Sequence, residues 1–263
     1  MPTSALYTDV GRVARALAFQ APETINFEAN IGNTNIMLNS SPPSDWQVGT
    51  TLIIDSNNAY LEEIVTITAT PNGTVLQVSA LTKKHAVGAP IINGTVLSEY
   101  VAAASRWWDS ATYTPAGFAY EEWVDKKEAF ITNDGFITIP LSKPVVSLSD
   151  ITSAMFQSNP INTFVSLDLS KAWIVNEYIL KIVAMHNFSV RQGFAIVEYK
   201  GGYNPLPDDI ANVVTAYAAR LYKERDSGYS DSIGSGDIGK FVYKKSIPSD
   251  IAAVINFYQR WTI

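Results

Sequence analysis

The 263-residue chain contains no cysteine, which excludes a disulfide framework and any thiolate metal site. Histidine occurs only at His85 and His186, too few for a histidine-rich metal cluster. No uncharged apolar run reaches the roughly 18 residues that a membrane-spanning helix needs. The opening MPTSALYTDVGRVARALAFQ lacks the apolar core of a signal peptide. The expectation is a protein made in the cytoplasm with no membrane contact. The Asn-x-Ser/Thr triplets at Asn39, Asn72, Asn93 and Asn187 are then chance occurrences. Positive charge is also scarce: 19 Lys and Arg stand against 25 Asp and Glu, a net charge of −6. That argues against a protein built to grip nucleic acid, whose affinity comes from neutralising phosphates.

What is present suffices for a folded core, since 47% of residues are hydrophobic. The most legible stretch runs from Phe194 to Ile263. Phe194, Ile196, Val197 and Tyr199 make a β-branched and aromatic strand that stops at Gly201-Gly202. Pro205 and Pro207 precede a helix start, with Asp208 and Asp209 favouring its positive end. Ile210, Val213, Val214, Tyr217, Leu221 and Tyr222 follow at helical spacing on one face. Gly228 is placed to terminate that helix. Pro248 and Asp250 open a last helix with a stripe of Ile251, Val254, Ile255 and Tyr258, widened by Phe257 and Trp261.

Two shorter helices are expected earlier. One spans Thr8 to Leu17 with Thr8 as N-cap, although Gly11 weakens it. The other begins at a Thr95 cap and carries Leu97, Tyr100, Val101, Ala104 and Trp108 on one face. Between them, short β runs from Ile25 to Ile92 are punctuated by Pro42-Pro43, Asn57-Asn58 and Asn72-Gly73, the texture of a small all-β module. Beyond Pro115 a second β region follows, with a turn at Asn133-Asp134-Gly135. The fold class is therefore α+β. Residues 1–22, 96–110 and 206–263 form a discontinuous core of four helices; 23–95 are an inserted small β module; 111–205 are a β-rich domain.

The sequence points to no catalytic chemistry. Gly234, Gly236, Gly239 and Lys240 spell a phosphate-loop pattern, but a helix precedes it and an extended FVYKKS follows, whereas such a loop joins a strand to a helix. Asp55, Asn57, Glu62 and Glu63 suggest a calcium loop until Ala59 and Tyr60 occupy positions that need a ligand and a glycine. Glu62-Glu63 and Glu121-Glu122 are strand neighbours facing opposite ways, which disfavours a shared acid/base site such as a glycoside hydrolase uses. His85 and His186 read as structural or surface residues. No cofactor or metal is expected, and the protein is read as not an enzyme.

Three stretches, YTDVGRVARAL, VLSEYVAAASRWWDS and VEYKGGYNPLPDDIANVVTAYAARLYKERDSG, together resemble the head-to-tail connector (adaptor, or head-completion) proteins of tailed bacteriophages. PVVSLSDI is similar to the central β segment of larger members. The two β regions depart from the smallest members, which are nearly all helical. The resemblance implies a structural virion protein of the neck: a ring, normally of twelve copies, between the portal protein and a stopper, tail terminator or tail protein, with a channel that DNA only transits. It also implies that the C-terminal segment embraces the portal, through Phe257, Tyr258, Arg260, Trp261 and Ile263, with Gly228, Gly234, Gly236 and Gly239 as hinge. The alternative reading is a glycan- or receptor-binding β module of a phage tail tip or fibre, suggested by β regions rich in Trp and Tyr.

Overall fold

A computed structural model describes residues 6–17, 21, 23–158, 163–184, 192–226, 232–233, 241–242 and 248–259. The fold is α+β, and the chain divides into two compact units. One comprises Leu6–Trp108 and Asp209–Val254; the other comprises Asp109–Asp208 and the chain from Ile255 onward.

In the first unit, six short strands follow one another: β1 (Glu23–Thr24), β2 (Asn35–Met37), β3 (Thr51–Ile54), β4 (Glu63–Thr66), β5 (Val75–Gln77) and β6 (Pro90–Asn93). Four of them form a sheet in the order β1-β6-β3-β4, and β2 pairs with β5. Bridges at Ile67–Val78 and Ile25–Leu38 join the two pieces at both sides. The result is a closed antiparallel barrel in the order β1-β6-β3-β4-β5-β2. Closure pairs every strand on both sides and so abolishes the exposed edges that short strands would otherwise present. Trp46, Leu38, Leu52, Ile54, Val65 and Leu76 are among the apolar side chains that fill it. The barrel is a packed core.

The same unit holds three helices, α1 (Val10–Leu17), α2 (Gly94–Ala111) and α3 (Asp208–Asp226), far apart in sequence and packed together. The Tyr7 amide donates to Ser105 Oγ at 3.2 Å, and the Thr8 and Thr215 hydroxyls meet at 2.7 Å. Trp107 stacks on Tyr217 with ring centres 3.7 Å apart, and Tyr100 meets Tyr222 edge to face. Val13, Leu17, Leu97, Val101, Trp108 and Val214 are buried, as the helical spacing predicts.

The helix starts differ from the sequence expectation by one or two residues. α1 is capped by Asp9, whose Oδ1 accepts the Arg12 amide at 2.7 Å, because Thr8 is committed to Thr215. α2 is capped by Asn93, whose Oδ1 accepts the Val96 amide at 3.1 Å, while the Thr95 hydroxyl accepts the Thr51 amide at 2.8 Å. Both true caps lie nearby in sequence and are equally good formers; the threonines were drawn away by tertiary partners. Gly11 also has a reason to be helical: a Cβ there would stand 2.1 Å from Glu62 Oε1, and Arg15, one turn on, holds that carboxylate at 2.6 Å.

The second unit is built on seven strands: β7 (Glu121–Ile131), β8 (Phe136–Pro140), β9 (Ile151–Gln157), β10 (Val165–Ser166), β11 (Ala172–Val175), β12 (Ile179–Val183) and β13 (Gln192–Gly201). Their order is β10-β9-β13-β7-β8-β12-β11, antiparallel throughout. The strand expected at Phe194 to Tyr199 lies inside β13, paired on both sides by β7 and β9. Alternation sends Ala195, Val197 and Tyr199 inward with Ala129, Ile137, Ile139, Phe156, Leu180 and Ile182, and sends Phe194, Ile196 and Glu198 outward. Gly193 and Gly202 allow close backbone approach: a Cβ would come within 2.2 Å of Gln157 O and Ala119 O respectively.

Two short strands, β14 (Ser232–Ile233) and β15 (Phe241–Val242), pair antiparallel. The last helix, α4 (Ser249–Tyr258), begins just after Pro248 and crosses from one unit to the other at Val254. The barrel and most of α1, α2 and α3 fall within the same unit.

Candidate functional site

Of the residues proposed to meet a portal, Phe257 and Tyr258 are described. Phe257 is 79% exposed, and Tyr258 lies edge-on to it at 5.0 Å. The Tyr258 ring also packs edge-on against Phe118 and Tyr203, each 6.0 Å away, and those two rings stack on each other. Phe118 is fully buried. The end of α4 is therefore anchored to its own chain by Tyr258 and presents Phe257 outward. Burial, the hydrogen bond to Glu177 and nearby negative charge all push the Tyr203 phenol up, so it stays neutral and donates to Glu177 Oε2 at 2.7 Å. Arg260, Trp261 and Ile263, and the hinge candidates Gly228, Gly234, Gly236 and Gly239, lie outside the described residues, as does His186. What is described beside the glycines is β15, a strand, directly after Lys240. A phosphate loop would run into a helix N-terminus there.

The sequence did not announce two buried polar centres. In the barrel, His85 is fully buried between Asp55 Oδ2, 2.7 Å from Nδ1, and Glu63 Oε2, 2.9 Å from Nε2. Asp55 follows β3 and Glu63 opens β4, so the imidazole joins the two feet of the loop between those strands. Burial alone would raise the Glu63 carboxyl. Bonds from the Thr82 amide, His85, the Thr82 hydroxyl and the Lys83 amide outweigh it and hold the group below the usual carboxylate range. Both ring nitrogens of His85 are taken up by these carboxylates and the ring is closed to solvent, so neither nitrogen faces a substrate. The centre is a clamp. Its signal in the sequence was parity: Glu63 alternates in register with the inward Val65 and Ile67, which turned this carboxylate into the barrel.

The second centre surrounds Asp125 in β7, which is buried. Its carboxylate accepts from the Tyr199 hydroxyl at 2.6 Å, the Ser142 hydroxyl at 2.6 Å and the Ser142 amide at 2.6 Å. The Tyr199 oxygen in turn accepts from the Lys143 amide at 3.1 Å. Burial first, and then the bond to Asp125, push the Tyr199 phenol well up. Lys143 is also fully buried; its ammonium donates to Ala119 O at 2.9 Å, pairs with Glu121 at 2.8 Å and sits 5.1 Å from the centre of the Trp123 ring. Gly201 completes the arrangement, for a Cβ there would lie 2.5 Å from Lys143 Cβ and 2.7 Å from the Tyr199 ring. The Tyr-x-Gly-Gly segment is thereby explained as packing: Tyr199 reaches Asp125, Gly201 makes room, and Gly202 turns the chain at φ +113°.

Exposed aromatics gather on the outward face of the seven-stranded sheet. Phe130, Thr138, Lys181 and Trp173 stand side by side across β7, β8, β12 and β11, and Phe136 meets Trp173 edge to face at 4.9 Å. Among the described residues, no group of three or more His, Asp or Glu is arranged to hold a metal ion, and no helix is long and apolar enough to cross a membrane. The chain matches no family model and no curated protein.

Proposed function

We propose that the protein is a structural virion component, a ring-forming adaptor between the portal vertex and the tail or stopper of a tailed phage, with a channel for DNA passage. The observation that carries the reading is the convergence of the resembling stretches. YTDVGRVARAL, VLSEYVAAASRWWDS and the helix of PLPDDIANVVTAYAARLYKERDSG supply α1, α2 and α3, and the contacts of Tyr7, Thr8, Trp107 and Tyr217 join them in one unit. The β segment between α1 and α2 is folded away as a self-contained barrel, so it interrupts the sequence without interrupting the helical packing. The two polar centres support a mechanical role, since each fixes loops to strands and neither offers a free nucleophile or base.

In a twelve-membered ring the net charge of −6 per copy sums to 12 × −6 = −72, and a repulsive wall lets a phosphate backbone pass. Phe257 at the exposed end of α4 is the described residue best placed to meet a portal. The test is electron microscopy and mass measurement of the purified protein, alone and with portal-bearing heads. Closed rings seated at the vertex are expected; a protein that stays monomeric and ignores such heads overturns the reading. A channel lined mainly by Lys and Arg would overturn the charge argument. The exposed Phe130 and Trp173, with the half-buried Phe136 against Trp173, favour one second reading, a glycan- or receptor-binding module of a tail tip or fibre. Saturable oligosaccharide binding lost on Trp173→Ala would establish that instead.

A further inference from the structure

Asp55, His85 and Glu63 share two contacts, and each contact needs a proton. Nδ1 lies 2.7 Å from Asp55 Oδ2 and Nε2 lies 2.9 Å from Glu63 Oε2; lone pairs facing each other across such gaps repel, so one proton sits between each nitrogen and its oxygen. The three groups therefore hold two protons. Whether the second rides on the ring or on a carboxyl does not alter the count, which belongs to the three together. Freed into water near neutral pH, the same groups hold one, because carboxylates are bare there and an imidazole gives up its second proton above about pH 6.5. Opening the centre releases a proton.

The loop that this centre fastens carries a cost at one of its two feet. Asp55 is held at φ +56°, a left-handed conformation that is unfavourable for a residue with a side chain. Beside it Ser56 is fully buried, and its hydroxyl has no hydrogen-bond partner, a second cost. Letting go of this foot relieves both. The other foot is held independently, since Glu63 also accepts from the Thr82 amide at 2.6 Å, the Thr82 hydroxyl at 2.9 Å and the Lys83 amide at 3.0 Å. Further charges around the centre are engaged with one another or with backbone: Arg15 of α1 holds Glu62, Lys83 Nζ donates to Glu62 O at 2.7 Å, and Lys84 pairs with Glu28 at 2.9 Å. None of them is an imidazole, the side chain that ordinarily changes charge near neutral pH.

We propose that the β3–β4 loop is a proton-held latch: loss of one proton from the Asp55–His85–Glu63 centre frees the Asp55 foot and opens residues 56–62, while Glu63 stays bound to Thr82 and Lys83. The inference stands apart from the ring reading. Because the open loop binds one proton fewer than the closed one, the closed loop loses stability as pH rises, and the open fraction should approach a tenfold increase per pH unit above about pH 6.5. Native-state hydrogen exchange on the full-length protein, from about pH 6.5 to 8.5, tests it. The Asn58 amide donates to Asp55 O, and the Leu61 and Glu62 amides donate to Asn58 O. Corrected for intrinsic rates, their protection should fall by nearly that factor per pH unit. Glu63→Gln gives Nε2 an amide hydrogen and leaves the ring needing only its Nδ1 proton, so its loop protection should be flat across the same range. A flat wild-type profile, or an equal slope in Glu63→Gln, overturns the proposal. Loop amides that exchange together with those of β3 and β4 also overturn it, because then the barrel opens as a whole and not at one foot. Should the variant not fold, denaturant unfolding of wild type decides: an unfolding constant that stays level over this pH range means that no second proton is held.

Discussion

The six-stranded barrel and the seven-stranded sheet differ first in their edges. The barrel leaves none, since the bridges at Ile25–Leu38 and Ile67–Val78 close it, whereas the sheet ends in β10, two residues long, and β11, four residues long. They differ again in how polar groups are buried. The barrel fastens one loop with an imidazole held between two carboxylates; the sheet fastens its central strands with a network in which a neutral phenol and the Ser142 hydroxyl and amide satisfy one carboxylate. Each is therefore vulnerable at a different place and presents a different surface. A closed barrel meets partners through its loops, and an open sheet keeps a broad outer face.

The largest expected effect sets the two centres against each other. His85→Ala removes the shared partner of Asp55 and Glu63 and leaves two buried carboxylates facing a void, which should cost about 3–5 kcal/mol. Denaturant unfolding measures it. A loss below about 1 kcal/mol would mean that the barrel does not depend on the clamp. Tyr199→Phe in the sheet should cost less, about 1–2 kcal/mol, because Asp125 keeps both Ser142 donors and loses one of its bonds. Between the two falls Gly202→Ala. At φ +113°, with Ala119 O where the methyl would go, roughly 2–3 kcal/mol of strain is expected, and the same unfolding experiment ranks all three.

How much of this was legible in sequence follows from the range of the forces involved. Periodicity found α2, α3 and α4, because an amphipathic face is written in consecutive residues such as Ile210, Val213, Val214 and Tyr217. Turn residues found the β texture. Caps were misplaced by one or two positions where Thr8 and Thr95 had long-range partners in Thr215 and Thr51. Barrel closure, the Asp55–His85–Glu63 clamp and the Asp125 network join residues 11 to 74 positions apart, and neither turn signals nor helical periodicity says which of them pair. Gly201-Gly202 was visible as a strand stop, but its reason, the space taken by Lys143 and Tyr199, belongs to the tertiary structure.

Acid and alkali separate the two centres. The folded-state carboxyl of Glu63 is held below its ordinary value of 4.5. The stability it contributes is therefore present above that ordinary value and disappears as pH falls through the lowered one. Wild type should lose stability across this range relative to Glu63→Gln, whose amide does not titrate, so the gap between them narrows as the solution is acidified. Tyr199, whose phenol is pushed up, behaves with the opposite sense: its contribution is intact below the usual phenol range and declines as pH rises beyond it. Tyr203 and Tyr217 are shifted the same way, so the alkaline loss belongs to several tyrosines and only its Tyr199→Phe-sensitive part to the Asp125 network. An acid loss equal in wild type and Glu63→Gln would remove the contrast.

The smallest effect tests whether the barrel and helices share one folding unit at the junction of β6 and α2. Asn93 ends the strand and caps the helix, accepting the Val96 amide and donating from Nδ2 to Asp45 Oδ2 at 3.1 Å. Thr95, two residues on, accepts the Thr51 amide of β3. Asn93→Ala should cost about 1 kcal/mol, the usual worth of an N-cap, and Thr95→Ala about 1 kcal/mol by leaving one strand amide to solvent. These residues flank one turn and serve different elements. If the junction acts as a single device, the double variant departs from the sum of the two by about 0.5 kcal/mol or more. If strand and helix are merely adjacent, the two losses add, and the barrel could be exchanged for another closed module without disturbing how α1, α2 and α3 pack.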